Sequence, residues 1–320
     1  MRRGGEVATF NRGRSGDDVP GVEVVRGDRT EQASLERLAD RRTWDAVIDT
    51  SGQVPRIVGQ SAQVLAGHVG RYAFLSTVSV YRGWPVEPLS EDSAVLDCPS
   101  DAGPGFGEDD PRGYPTRYGF QKAGCERAVR EVFDGRALVL RPGVILGPYE
   151  YIGRLPWWLR RIARGGRVLA PGTPERPIQP IDVRDVAGFV LSALEAGSTG
   201  TFNVAAPKGH ATYGWLLADC VELTGSNAQL VWVDDQFLLE RGVRQWTELP
   251  LWRTYAGTWS VAADRAAAAG LRCRPLTDTV RDTWAWLRDG ADAVFHERQR
   301  ELGITVEKEA RLLSAWDSAR

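Results

Sequence analysis

Residues 45–81 read DAVIDTSGQVPRIVGQSAQVLAGHVGRYAFLSTVSVY, and their alternation decides the fold. Ala46–Asp49 is a short β-like run, Arg56–His68 is a helical stretch, and Tyr72–Ser76 is a second β-like run. Working outward, the same rhythm continues in both directions. Glu6–Phe10 and Val22–Val25 precede it as candidate strands; Ala137–Leu140, running on into Gly143–Leu146, and then Gly200–Val204 follow it. Further helices are expected over Glu31–Arg41, Tyr118–Phe133 and Val183–Ala196, with short connections between elements. Strands alternating with helices in this way imply an α/β protein with a parallel sheet covered on both faces.

Two regions interrupt the rhythm. Asp97–Arg117 is rich in Gly, Pro and Asp and has no periodicity, which suits either a functional lid or a disordered insertion. Tyr149–Gly172 contains an aromatic-bearing helix at Leu155–Ala163. Beyond residue 207 the chain is mixed and carries most of its 12 tryptophans, as expected of a smaller lobe completing a cleft. The division read from the sequence is a core domain of residues 1–148, to which 176–206 return, and a substrate-binding lobe of 149–175 and 207–320.

Composition narrows the classes. The 320 residues are 42% apolar and 26% charged, which rules out global disorder, and a net charge of −2 gives no basic footprint for nucleic acid. No apolar run approaches the roughly 20 residues of a membrane span, and no apolar core follows the N-terminal arginines, so a cytoplasmic location is expected. Cys98, Cys125, Cys220 and Cys273 are scattered and only three histidines are present, which disfavours both a zinc site and a disulfide framework. No metal is expected.

The chemistry gathers at Tyr118-Gly119-Phe120-Gln121-Lys122. On a helix, residues four apart share a face, so phenol and ammonium can enter one cleft. A neighbouring positive charge favours phenolate and makes tyrosine a usable acid/base. Eight tyrosines and three lysines in 320 residues make about 0.08 such pairs expected by chance. Upstream, Thr77 stands at the end of a strand within Phe74-Leu75-Ser76-Thr77-Val78-Ser79-Val80-Tyr81. Ligands of open α/β sheets bind beyond the carboxyl ends of the strands, where Thr77 can orient a substrate oxygen or simply cap the strand end.

At these residues the chain resembles the extended short-chain dehydrogenase/reductases, the NAD-dependent epimerase/dehydratase group. The resemblance rests on Ser76-Thr77 with Val80-Tyr81, Tyr118-x-x-x-Lys122, Leu140-Arg141-Pro142-Gly143 with Gly147-Pro148, Ile181-Asp182-Val183-Arg184-Asp185-Val186-Ala187 and Gly200-Thr201-Phe202-Asn203-Val204. It covers roughly residues 5–206 and implies a Rossmann-type, doubly wound parallel sheet with a C-terminal α/β substrate lobe. It also implies roles. Tyr118 would be the acid/base, Lys122 would hold the nicotinamide ribose, and Thr77 would bond the reacting hydroxyl of a small-molecule substrate. Asp28 would lie near the adenine, Thr50, Ser51 and Gly52 would line the cofactor, and Pro142 and Gly143 would pack by the nicotinamide. Trp157 or Trp158 can form an apolar wall of the substrate pocket, but adjacent helix residues cannot both face it. A homodimer is a family expectation.

The sequence also departs from the family. The first strand and its Gly-x-x-Gly-x-x-Gly turn, which hold the pyrophosphate, have no counterpart. Met1–Gly5 reads as the last turn of the following helix, with Gly4-Gly5 as its stop, and Glu6–Phe10 already matches the second family strand. Because the first strand is central, its two neighbours should be left with unpaired edges. Either the true start lies upstream or the chain is a repurposed relative. Asn11-Arg12 replaces the usual acidic residue at the end of that second strand, which favours NADP over NAD unless Arg12 is an ordinary surface residue. Val78-Ser79 stands where sugar dehydratases carry Asp-Glu, which argues against dehydration. Ile178 stands where nucleotide-sugar epimerases place a diphosphate-gripping arginine, and Arg176 is two residues out of register. The expected activity is hydride transfer at a hydroxyl or carbonyl centre of a sugar-like or other small molecule, by an epimerase or reductase. The rival reading is a non-catalytic, cofactor-sensing regulator.

Overall fold

A computed structural model describes residues 4–14, 16–110, 114–290 and 297–319. In chain order the first elements are β1 (Ala8–Asn11), β2 (Glu23–Arg26), α1 (Gln32–Ala39), β3 (Trp44–Asp49), α2 (Pro55–Leu65), β4 (Val69–Leu75), α3 (Arg117–Val132) and β5 (Ala137–Pro142). They continue through β6 (Ile145–Leu146), α4 (Arg154–Ala163), β7 (Arg167–Pro171), β8 (Pro177–Ile178), β9 (Ile181–Asp182), α5 (Val183–Glu195) and β10 (Gly200–Val204). Last come β11 (Ala211–Thr212), α6 (Tyr213–Thr224), β12 (Gln229–Val233), α7 (Asp235–Glu240), α8 (Asp264–Ala268), α9 (Leu276–Arg288) and α10 (Val306–Ser318). None of the described helices is long and apolar enough to cross a membrane. The chain divides into two compact units: Met1–Trp84, Glu91–Pro142 and Val190–Asn203 form one, and Pro85–Ser90, Gly143–Phe189 and Val204–Arg320 form the other.

In the first unit β3, β4 and β5 pair in parallel, and the strand order is β10-β5-β4-β3. Side chains alternate across a strand, so the register sorts them by face. Val47 and Asp49 stand beside Tyr72 and Phe74, and Val47, Tyr72 and Phe74 join Val58, Ala62, Cys125 and Val129 of α2 and α3 in one apolar core. Ala46 and Ile48 stand beside Arg71 and Ala73 on the opposite face, where Arg71 Nη1 donates to Leu194 O of α5 at 2.9 Å. That face is closed over Ala73 and open over Ile48, which is 41% exposed.

Among the described residues β1 pairs in parallel with β2 alone, and β3 with β4 alone, so β1 and β3 each keep a free edge there. Phe10 and Val25 nevertheless join the same apolar core as β3 and β4. Among the described residues the sheet is thus interrupted between β1 and β3, the two strands expected to flank the family's first strand. Of the helical turn expected at Met1–Gly5, residues 1–3 lie outside the described residues; Gly4 has a left-handed backbone, φ +77°.

One expectation needs correction. The strand predicted to run from Ala137 to Leu146 is broken. β5 ends at Pro142, and Ile145–Leu146 pairs instead with Ile181–Asp182. Proline has no N–H to extend a ladder, and the next amide, Gly143 N, donates to Val204 O at 3.0 Å. The described part of the 97–117 loop is tied down against α2 and α3. Gln121 Nε2 donates to Gly103 O and Phe106 O at 2.9 and 2.7 Å, Arg56 N donates to Ala102 O at 3.2 Å, and the Phe106 and Phe120 rings meet edge to face.

The second unit has its own core around Trp158, Tyr213, Trp252, Leu216 and Leu313. β7 pairs in parallel with β12, and β8 antiparallel with β11. Trp158 Nε1 and Tyr213 OH both donate to Pro250 O, at 2.8 and 2.7 Å, so the two large buried side chains keep their polar atoms bonded.

Candidate active site

The first unit collects its polar side chains beyond the carboxyl ends of β3 and β4. Thr116 starts α3: its hydroxyl accepts Gly119 N at 3.2 Å. A Cβ on Gly119 would lie 2.3 Å from Ser79 O, so only glycine lets the first turn of α3 rest on the turn after β4. That approach brings Tyr118 and Lys122 to the segment bearing Thr77. Thr77 is buried, and its hydroxyl accepts Ser79 N at 3.1 Å to cap the one-turn 3-10 helix Val78–Val80. Tyr118 is 47% exposed.

Lys122 is 4% exposed. Its ammonium donates to Gly52 O at 2.9 Å and to Leu75 O, and lies 4.2 Å above the Phe74 ring. An ammonium has three protons, so two carbonyls leave one donor in hand. Burial lowers Lys122 to about 8, against the opposing pull of Cys125, Asp49 and Glu126; Arg29 adds to the lowering. The Cys125 thiol is pushed up to about 12, chiefly by burial, so it carries no charge near neutral pH.

The expected cofactor residues group in two places. Thr50, Ser51 and Gly52 form the turn after β3 that receives Lys122. Asn11, Arg12 and Asp28 gather past β1 and β2. Asn11 Oδ1 accepts Gly13 N at 2.8 Å and also the Arg26 guanidinium, and Arg12 Nη1 lies 3.5 Å from Asp28 Oδ2. Asp28 accepts the Thr30 amide and hydroxyl at 2.9 and 2.8 Å; those bonds, the amide foremost, hold its carboxyl below the usual range. Pro142 closes β5 in this unit.

Gly143 and Trp157 belong to the second unit. There Trp158 is fully buried, while Trp157 is half-buried beside it with its indole nitrogen against Gly303. Arg176 is committed to Asp235 and Arg253 O, and Arg184 to Asp182 and Asp282. Among the described residues no cluster of three or more His, Cys, Asp or Glu could hold a metal ion.

Sequence reasoning missed two buried networks. Asp49, 7% exposed, accepts Arg29 Nη1 and Nη2 and Tyr72 OH, all at 2.8 Å, and Ser51 N at 3.0 Å. Burial alone would raise its carboxyl; Arg29 first, then Tyr72 and Ser51 N, outweigh that and hold it low. Glu126, on α3, accepts Arg141 at 2.8 and 2.6 Å and Ser76 Oγ at 2.6 Å, pinning α3 to the ends of β4 and β5. The one available signal was an Asp followed two residues later by Ser at a strand end, which favours a side-chain-to-amide turn.

A nicotinamide cofactor fits this site in one half. Lys122 offers a remaining donor at the strand ends, and the Gly52 turn is packed so closely that a Cβ there would fall 2.7 Å from Phe74 and Val58. For the pyrophosphate half, no strand pairs between β1 and β3 among the described residues.

Comparison with known proteins agrees on the fold. The NAD dependent epimerase/dehydratase family model matches residues 1–205. No curated protein is significantly similar in sequence. Among solved structures, the Bordetella bronchiseptica enzyme WbmH in complex with NAD+ is 17% identical with a TM-score of 0.67, covering 90% of this chain and 92% of its own. The Thermotoga maritima UDP-glucose 4-epimerase with UDP-glucose is 17% identical, with a TM-score of 0.63 and coverage of 91% and 93%. A dTDP-4-dehydrorhamnose reductase from Clostridium acetobutylicum is 15% identical, with a TM-score of 0.59 and coverage of 88% and 100%. At such identities the likeness speaks for the fold, while the family match covers well over half of the sequence. The chain belongs to the NAD dependent epimerase/dehydratase family of enzymes.

Proposed function

We propose that the protein is a nicotinamide-dependent epimerase or reductase acting on a hydroxyl or carbonyl centre of a sugar-like small molecule. The observation that carries this reading is the buried Lys122 ammonium at the ends of β3 and β4, one helical turn from Tyr118. A nicotinamide ring bound there supplies or accepts a hydride. The chain's own residues do the rest. Tyr118 moves the proton at the substrate oxygen, and the charge on Lys122 favours departure of the phenolic proton. Lys122 uses its remaining donor on the ribose, and Thr77 orients the substrate oxygen once its hydroxyl turns from Ser79. Structural relatives solved with NAD+ and with UDP-glucose support a nicotinamide cofactor and a nucleotide-sugar substrate.

For the cofactor we favour NADP(H). Arg12 stands half-exposed at the end of β1, and its 3.5 Å pairing with Asp28 is loose enough to release it to a 2′-phosphate. The second reading is a cofactor-sensing protein without turnover. Tyr118→Phe separates the two. The enzyme reading predicts a loss of roughly 10²–10⁴-fold in turnover of a nucleotide-sugar panel with cofactor affinity retained. Unchanged turnover contradicts the assigned role of Tyr118.

A further inference from the structure

We infer that Asp49 is a positioning residue for Lys122: clasped by Arg29, it holds the turn whose carbonyl receives the ammonium and presents the negative charge that faces it. The inference rests on the reading of Lys122 given above, but its test needs no substrate. The chain of contacts is continuous. Arg29 grips both oxygens of Asp49 and also reaches Ser51 Oγ at 3.1 Å and Ser61 Oγ at 3.3 Å. Asp49 accepts the amide of Ser51, the residue before Gly52, and Gly52 O accepts Lys122 Nζ. Gly52 lies so near the clasp that a Cβ there would meet Asp49 Oδ2 at 2.9 Å. Tyr72 OH takes up a remaining lone pair of the carboxylate from β4, so the group cannot swing away without leaving buried donors unpaired.

A buried carboxylate with four donors could be purely structural, as Glu126 is. What distinguishes Asp49 is its place: it is bonded to Ser51 N in the turn whose Gly52 carbonyl receives Lys122. The charged and titratable groups around Lys122 are Cys125 and Glu126 on its own helix, Asp49 from β3 and Arg29 from the segment after β2. Cys125 is a neutral thiol, and the Glu126 carboxylate is already engaged by Arg141, Arg130 and Ser76. Asp49 is the negative charge tied to the same turn as the ammonium, and Arg29 is the positive charge set against it. The pair therefore adjusts both the place and the charge of Lys122.

Only three lysines occur in the chain, Lys122, Lys208 and Lys308, so isotope-labelled lysine gives three ε signals by nuclear magnetic resonance. Lys122→Arg assigns the one of interest. In Asp49→Asn the Lys122 signal is expected to titrate about 0.5 pH unit or more below its wild-type midpoint, with Lys208 and Lys308 unmoved. An unmoved Lys122 in the folded variant overturns the inference. Should Asp49→Asn not fold, Arg29→Met decides: the opposite displacement, upward, is expected, and no change or a fall overturns the inference. Intact turnover in Tyr118→Phe would refute the catalytic reading while leaving this coupling measurable.

Discussion

Lys122 has left water for two backbone carbonyls and an aromatic face, and burial lowers it from the ordinary 10.5 to about 8. Between those values the folded chain binds fewer protons than the unfolded one, so stability rises with pH across that window. Below pH 8 the buried ammonium costs on the order of 3 kcal/mol, a cost that fades towards pH 10.5. Urea unfolding at pH 7.5 and pH 10 should therefore show wild type gaining stability relative to Lys122→Met as the pH rises. A constant difference would contradict burial of the ammonium. Glu126 makes the opposite case, a carboxylate satisfied by partners it cannot lose. Arg141→Ala leaves it buried without its main cation, and urea unfolding should show a loss of about 3–5 kcal/mol. Thr77, Tyr118 and Lys122 were legible in the sequence because their types and spacing are themselves the signal. The Arg29–Asp49 and Glu126–Arg141 pairs were not, since residues twenty or fifteen apart that meet through tertiary packing leave no periodic trace.

At the scale of elements, α3 does most to build the site. Its cap fixes its own first turn, and its glycine contact with Ser79 and its Gln121 anchors fix two neighbouring segments. Gly119→Ala would push α3 off the turn that carries Thr77. We expect a destabilisation of about 1–3 kcal/mol by urea unfolding, with turnover falling further than stability alone explains. A variant as stable and as active as wild type would show that this contact does not set the geometry. The strands and helices of the first unit were legible from alternation to within a few residues. The break in β5 was not foreseen, because an apolar run crosses it, although Pro142 marked the place. The 97–117 loop gave no periodic signal at all; its described part is anchored at Gly103 and Phe106 by Gln121 of α3, which the loop sequence does not contain.

For the molecule as a whole, the family match and the interrupted sheet pull in different directions. β4 is bonded on both sides, whereas among the described residues β1 and β2 form a two-stranded pair held to the rest by apolar contact and by Glu23's bonds to Arg41 and Arg42. Two strands alone are marginal in water, so amides of Ala8–Asn11 should exchange with solvent about tenfold faster or more than those of Ala137–Leu140. Equal protection would mean that β1 is secured by something other than its pairing with β2. The gap between β1 and β3 among the described residues was anticipated, because no run in the given residues matches the family's first strand and its two neighbours then keep free edges. Whether the half-site around Lys122 suffices to hold a cofactor is what the account turns on. The decisive measurement is a calorimetric titration of the folded chain with NADPH and NADH, repeated on Lys122→Met. The account predicts saturable binding, tighter for NADPH, that weakens about tenfold or more in the variant. A folded chain that binds neither dinucleotide, or a variant that binds as well as wild type, would contradict it.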